Sequence, residues 1–194
     1  MRLNYLLAIA LNLSSTPPTH LHHQQPPAEQ FQFTDSEAAP STLEEMWDLT
    51  DAVARVRIEQ ALVKGLPRAG RPPKVLTEHT ARVLEVLKGD GFSERDTIII
   101  TVPVGKLTVN DQTISAIAAG SRVFHPGEEL LVFLTRLSTG DYDIAYGPAG
   151  FYSLEAERIT LPGDARRWPT FAGRGITISR GDLLAAVRML KQRG

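Results

Sequence analysis

The chain has 194 residues, 21 basic against 22 acidic side chains, and no cysteine. The missing cysteines exclude disulfides, thiolate nucleophiles and cysteine-ligated zinc. The near-neutral charge excludes the electrostatic attraction to phosphate backbones on which nucleic-acid-binding proteins rely. Phosphate-loop, dinucleotide and metalloprotease motifs are also missing from the sequence, so we predict no cofactor and no nucleic-acid partner.

The first 40 residues predict export. Arg2 precedes an apolar run over residues 5–13, and polar Ser14 follows, which is the layout of a secretory signal peptide. The run is shorter than the ~20 apolar residues that span a membrane, so no integral membrane segment is expected once a leader over residues 1–15 is removed. A helix of the folded domain is the alternative interpretation of this run. We therefore predict a secreted or periplasmic protein.

Residues 16–40 are rich in proline, glutamine and histidine, a composition that predicts a disordered tether. His20, His22 and His23 lie close together within it. Ordering a flexible segment around a metal costs conformational entropy, so we predict no metal site there.

Residues 41–194 are predicted to form a single β-rich domain with a helix near each end. Ser41 and Glu44 match a capping box ahead of a short helix over Thr42–Asp48, and Ser179 with Asp182 matches a second cap. The predicted apolar faces of the two helices contain Leu43, Met46 and Trp47, and Leu183, Leu184, Val187 and Leu190.

Period-two alternation of apolar and polar residues predicts the strands. The first runs from Ala52 toward Val63, the second covers Leu76–Leu87, and further strands lie near residues 98–104 and 142–146. The run over residues 128–134 is apolar on both parities and suits a central strand buried on both faces. One shared core is predicted to contain Val56, Ile58, Ile98, Ile100, Val102 and Phe133.

Glycine, proline and arginine are frequent in residues 65–74 and in residues 162–175, and this composition predicts two loops. Five or more short strands flanked by two helices predict a small OB-like β-barrel, because closure of the sheet removes exposed strand edges. A β-sandwich is the alternative. Helices that would connect parallel strands are missing from the pattern, which argues against a doubly wound nucleotide-binding fold.

The order of motifs over residues 41–155 resembles a class of uncharacterised secreted bacterial domains. Its most distinctive segments are Leu87-Lys-Gly-Asp90 and Pro126-Gly-Glu-Glu129. That class is similar to the OB-type barrel of tissue metalloproteinase inhibitors and netrin modules, and the resemblance implies a barrel. Those inhibitors chelate the metal of their target with an N-terminal cysteine, which this chain lacks, so the resemblance assigns no site residue here.

The leading functional hypothesis is an exported, non-enzymatic binding module that recognises a protein or a saccharide in the cell envelope or outside the cell. A rigid scaffold holds the side chains of its loops in place for recognition. The loop over residues 162–175 contains Arg166, Arg167 and Trp168, which are the predicted binding residues. A protease-inhibitor-like domain is an alternative that the family resemblance implies.

A hydrolase with dispersed residues is the alternative from another functional class. His125, Asp141 and Asp143 are its candidate acid, base or nucleophile. The neighbouring Glu128 and Glu129 are not expected to converge on one substrate, because adjacent side chains of a strand point to opposite faces. The residues after Asp141 do not match the spacing of a calcium loop, and we predict no metal site.

Overall fold

The computed structural model describes residues 30–32, 40–118, 120–161, 169–171 and 177–193. These residues are mainly β, with a helix at each end of the domain, as predicted from the sequence. The helices are α1 (Leu43–Leu49) and α2 (Arg180–Lys191), with short 3-10 helices at Gly147–Gly150 and Pro169–Phe171. The strands are β1 (Gln30–Gln32), β2 (Ala52–Arg68), β3 (Arg71–Lys88), β4 (Thr97–Val102), β5 (Gly105–Val109), β6 (Gln112–Ile117), β7 (Glu129–Arg136), β8 (Tyr142–Ile144), β9 (Phe151–Ser153), β10 (Arg158–Thr160) and β11 (Thr177–Ser179).

Strand β2 connects two parts of the main sheet. It pairs antiparallel with β3 along most of its length and antiparallel with β7 over Ala52–Arg57. Strand β3 also pairs with β4, β4 pairs in parallel with β8, and β8 pairs with β7. The pairings therefore run from β2 through β3, β4, β8 and β7 back to β2. Strand β9 pairs with Leu130–Val132 of β7, on the same edge of β7 as β8.

Strand β7 is buried on both faces because its alternate side chains enter two apolar clusters, and the first residues of β2 contribute to both clusters. The inner cluster lies between the strands and includes Ala54, Val56, Ile58, Ile98, Ile100, Val102, Leu130, Val132 and Leu134. The helix-side cluster packs beneath α1 and α2 and includes Leu43, Met46, Val53, Leu131, Phe133, Tyr152, Leu183, Val187 and Leu190. The two-sided burial predicted for the run over residues 128–134 is thereby confirmed.

The predicted core is correct except for Phe133. Val56, Ile58, Ile98, Ile100 and Val102 share the inner cluster. The prediction that Phe133 joins them is wrong, because Phe133 lies in the helix-side cluster. Its neighbours in β7 occupy the inner positions, and side chains alternate between the faces of a strand.

The apolar faces of both helices are those predicted, but the cap of α1 is shifted by one residue. The Thr42 hydroxyl, and not that of Ser41, accepts a hydrogen bond from the Glu45 amide at 2.9 Å. The Glu45 carboxylate accepts in turn from the Ser41 amide at 2.7 Å. Both motifs fit the sequence because serine and threonine, and then two glutamates, are adjacent. The cap of α2 is as predicted, with the Ser179 hydroxyl accepting from the Asp182 amide.

The loop predicted over residues 65–74 is wrong, because β2 and β3 continue through it as a hairpin. Strand β2 ends at Arg68, β3 begins at Arg71, and Gly70 adopts a φ of 65° in the turn. Prolines are tolerated in β3 near the turn because β4 pairs only with residues 77–82, and because the β2–β3 register shifts between Leu66 and Arg68, opposite the two prolines. The glycines and prolines of residues 65–74, which the hairpin accommodates at its turn and its unpaired edge, give this segment the composition of a loop.

Candidate functional site

The distal halves of β2 and β3 form a two-stranded ribbon, defined here as residues 60–68 and 71–76. Strand β7 pairs with β2 only as far as Arg57, and β4 pairs with β3 only from Thr77 onward. Within the described part of the chain, the two strands of the ribbon therefore pair only with each other. The ribbon extends the hairpin beyond the main sheet.

The β5–β6 hairpin braces the inner face of the ribbon. A methyl group at Gly65 would lie 2.6 Å from Cδ2 of Leu107, so the two hairpins approach closely at this glycine. Gly105, with a φ of 147°, allows a similar approach at the start of β5. The buried Thr77 hydroxyl donates a hydrogen bond of 2.6 Å to the Val104 carbonyl. These contacts hold the ribbon in one position.

The outer face of the ribbon exposes large aliphatic side chains. Leu62 and Leu66 are 49% and 44% exposed, and side chains four residues apart lie on the same face of a strand. Lys64 lies between them on this face and forms a salt bridge with Glu78. Neighbouring apolar side chains that share one exposed face and are surrounded by charged residues are typical of a contact surface.

The ribbon is also strongly basic. Its 15 residues include Lys64, Arg68, Arg71 and Lys74, and none is acidic. Arg68, Arg71 and Lys74 are exposed near the turn. The whole chain has a net charge of −1, so the positive charge of the ribbon is a local feature. An acidic partner would be attracted to this end of the molecule.

A separate cleft lies at the end of β4 that is farther from the ribbon. This cleft of about 310 Å³ is lined by Gly91, Phe92, Asp96, Thr97, Ile98, Ile99, Gly140, Asp141 and Tyr142. Its two carboxylates also support neighbouring turns. Asp96 accepts a hydrogen bond from the Ser93 amide at 2.7 Å, and Asp141 accepts from the Thr139 hydroxyl at 3.3 Å. The cleft could accommodate a small polar ligand.

The three candidate residues for a hydrolase are not brought together. His125 precedes the first residue of β7, whereas β8, which contains Asp143 and directly follows Asp141, pairs with the last residues of β7. The backbone amide of His125 donates to Glu128, Asp141 accepts from the Thr139 hydroxyl, and Asp143 accepts from the Ile144 amide. Burial raises the pKa of Asp143, against the opposing effects of the Ile144 amide and the charge of Lys74. Within the described residues, His125, Asp141 and Asp143 therefore form no hydrogen-bonded catalytic pair.

His79 is fully buried and supports the loop before β7. Its Nε2 accepts a hydrogen bond of 3.0 Å from the Phe124 amide, and the two rings lie 4.9 Å apart. Burial lowers the pKa of His79 to about 4, although the Ile100 backbone and the charge of Glu128 favour protonation. A neutral imidazole that accepts a backbone hydrogen bond has a structural role here.

The Pro126-Gly-Glu-Glu129 motif stabilises the same loop. Glu128 accepts two hydrogen bonds from Arg122, at 3.0 and 2.6 Å, and one of 3.1 Å from the His125 amide. Burial alone would raise the pKa of Glu128, but these hydrogen bonds outweigh it and lower the pKa. Glu129 instead forms a salt bridge with Arg57. The two carboxylates have separate partners, as the alternation of a strand predicts.

The Leu87-Lys-Gly-Asp90 motif closes the end of α1. Lys88 Nζ donates hydrogen bonds to the carbonyls of Trp47, Asp48 and Thr50. Carbonyls in the last turn of a helix have no partner within the helix, and a cation there also interacts favourably with the helix dipole. Gly89, with a φ of 94°, lets the chain turn directly after the lysine.

Replacing Lys88 with methionine should therefore lower the free energy of unfolding by about 1–3 kcal/mol, because the carbonyls lose a charged donor. Lys106→Met is the matched control, since Lys106 is exposed on β5, and it should change the free energy by less than about 0.5 kcal/mol. Urea denaturation measures both. Equal effects of the two substitutions would contradict the capping role of Lys88.

The binding residues predicted from the sequence, Arg166, Arg167 and Trp168, lie outside the described residues, as do the histidines at 20, 22 and 23. Within the described ranges, no three His, Asp or Glu side chains are arranged to hold a metal ion. No helix in those ranges combines the length and apolar character needed to cross a membrane. A scan against protein-family models and a search of curated proteins find no match.

Proposed function

We propose that this chain is an exported, non-enzymatic binding module and that the ribbon is the surface that contacts a protein partner. The observation that carries the proposal is the exposure of Leu62 and Leu66 on one face of a braced, basic hairpin. The apolar run after Arg2 supports export to the periplasm or the exterior. Such a module would bind its partner in the envelope or outside the cell, and this binding would need no cofactor.

A protein fits this surface better than a saccharide does. Removing apolar surface from water stabilises a contact by roughly 25 cal/mol per Å², and aliphatic side chains of a partner can cover the two leucines. The basic residues around them would form the charged rim of such an interface. A saccharide would be better suited to the cleft, where Asp96 and Asp141 can accept hydrogen bonds from hydroxyl groups. A protease is one possible protein partner, as the resemblance to metalloproteinase inhibitors implies.

We infer that the scaffold behind the ribbon is a small OB-like barrel. The series of pairings that starts and ends at β2 supports closure, as does the inner cluster enclosed by those strands. A β-sandwich would instead divide the strands between two sheets that face each other. A closed scaffold would hold the ribbon rigidly, and a surface ordered before binding loses less entropy when the partner binds.

Site-specific crosslinking in the producing cell tests the proposed surface. A photoreactive amino acid placed at position 62 or 66 should crosslink one partner protein in envelope or culture fractions. Leu49 and Met189 are similarly exposed, at 55% and 54%, but lie on the helices, so positions 49 and 189 are the matched controls. Leu62→Ser with Leu66→Ser should reduce recovery of that partner about tenfold, equivalent to about 1.4 kcal/mol.

Two results would overturn the proposal. One is equal crosslinking from the ribbon and from the helix positions. The other is a partner whose recovery is unchanged by the two serine substitutions while the protein remains folded.

A further inference from the structure

The outer edge of β2 changes from paired to unpaired at a β-bulge. The Ile58 amide donates to the Glu128 carbonyl at 2.9 Å, and the Ile58 carbonyl accepts from the Gly127 amide at 2.7 Å. The register of β2 against β3 shifts between Ile58 and Gln60. Beyond this shift, no described strand pairs with the outer edge of β2. Among the described residues, the edge is therefore covered up to Ile58 and unpaired from Gln60.

The ladder on the other side of β3 determines which peptide groups of β2 face this open edge. The Val83 amide donates to the Asp96 carbonyl, so the odd-numbered residues of β3 near it direct their peptide groups toward β4, and the even-numbered ones toward β2. Glu78 and Thr80 are the partners of Leu62 and Gln60. The peptide groups of Ala61, Val63 and Gly65 therefore point outward.

We propose that the edge of β2 at Ala61–Gly65 is a strand-addition site, where an extended acidic segment of the partner protein pairs with the three outward peptide groups. This inference rests on the proposed function and specifies how the partner binds. Main-chain hydrogen bonds supply affinity in such complexes, and alternate side chains of the added strand supply specificity. Leu62 and Leu66 would contact the side chains on one face of the added strand.

Charge favours an acidic partner over a second copy of this chain. The ribbon has four basic residues and no acidic residue, so pairing two ribbons would place like charges close together. Acidic side chains on the added strand would instead lie near Arg68 and Arg71. Lys64 does not protect the edge, because Glu78 holds it on the outer face. Pro67 has no amide hydrogen and marks the end of the usable edge.

Hydrogen exchange in the intact mature protein tests the direction of the peptide groups. The amides of Gln60, Leu62 and Lys64 should exchange slowly because they bond to β3, and those of Ala61, Val63 and Gly65 should exchange quickly. The reverse pattern would overturn the proposal, because the peptide groups of Gln60, Leu62 and Lys64 would then face the open edge.

Binding of synthetic nine-residue peptides tests the site itself. A peptide with valine and glutamate in turn on the face that meets Leu62, Lys64 and Leu66, and with threonine on the other face, should bind and slow the exchange of the Ala61, Val63 and Gly65 amides. The same peptide with lysine in place of glutamate should bind at least about tenfold more weakly, and added salt should reduce the difference. Equal binding of the two peptides, or self-association of the chain through this edge, would overturn the choice of an acidic partner.

Methylation of backbone nitrogens in the synthetic peptide provides a control that leaves the protein unchanged. Methyl groups on the alternate nitrogens that face β2 should abolish binding of the valine and glutamate peptide, whereas methyl groups on the other nitrogens should have little effect. Ala61→Pro removes an outward amide and should weaken binding while the protein stays folded. Leu62→Pro removes an amide that bonds to β3 and should destabilise the ribbon. Equal effects of the two methylation patterns would exclude strand pairing.

The two proposals can fail separately. A crosslinked partner that depends on Leu62 and Leu66 but leaves the exchange of Ala61, Val63 and Gly65 unchanged would overturn strand addition and retain the ribbon as the contact surface. A partner that ignores the two leucines would overturn the proposed function.

Discussion

Ile100→Ala should lower the free energy of unfolding by about 2–5 kcal/mol, the usual cost of truncating a fully buried isoleucine. Ile100 is 0% exposed and lies at the centre of β4, where it pairs with His79 on one side and Tyr142 on the other. Strand β8 pairs with β4 at only two positions. The Ile100 side chain therefore contributes much of the cohesion at this weakly paired junction.

Ile99→Ala is the matched control for this prediction. Ile99 belongs to the same strand but points to the opposite face and is only half-buried, so its truncation should cost about 1 kcal/mol. Urea denaturation gives both values, and an unchanged slope with denaturant would show that only stability has changed. A cost for Ile100→Ala no larger than that for Ile99→Ala would remove Ile100 from the inner cluster.

Stability should also fall as the pH is lowered from 6.5 toward 4, because His79 must stay neutral in the folded protein. Burial lowers the pKa of His79 from 6.5 to about 4, so the unfolded chain binds more protons than the folded one between these values. The contribution of the neutral His79 to the free energy of unfolding is complete above pH 6.5 and is lost progressively down to about pH 4. A difference of this size corresponds to about 3 kcal/mol in total.

Measurement between pH 6.5 and 5 avoids the carboxylates with lowered pKa values, and comparison with His79→Gln cancels the contribution of Asp143, whose pKa burial raises. Glu85, Glu128 and Glu129 have pKa values below the ordinary 4.5, so their contributions are lost at lower pH. Between pH 6.5 and 5, the free energy of unfolding of the unsubstituted protein should fall by about 2 kcal/mol. His79→Gln keeps a hydrogen-bond acceptor for the Phe124 amide and does not titrate, so its stability should depend less on pH. Equal pH dependence of the two proteins would contradict the assignment.

The sequence predicts local structure well where a pattern is short-range. The apolar faces of both helices and the alternation of Val56 with its neighbours depend only on period, and the structure confirms them. The position of Phe133 could not be deduced, because a run that is apolar on both parities does not indicate which parity faces which cluster. The pairing of β2 with β7 and of β4 with β8 also depends on residues far apart in the chain.

The candidate site was missed because composition outweighed periodicity. Gly65, Pro67 and the arginines near the turn suggested a loop, although Leu62, Lys64 and Leu66 already alternate with the smaller residues that face β5 and β6. Continuing the first strand past Val63 by its period would have predicted the ribbon. The open edge could not have been predicted in this way, because it depends on the bulge after Ile58 and on where β7 ends.

The continuity of β2 has a mechanical consequence. Its first half is bonded to β3 and β7, and its second half forms one side of the ribbon. Antiparallel hydrogen bonds lie perpendicular to the strands, so tension applied along the ribbon loads many of them in shear at the same time. They would have to break together and not one after another from an end. A partner pulling along this axis would thus act on a strand that is bonded to two neighbouring strands.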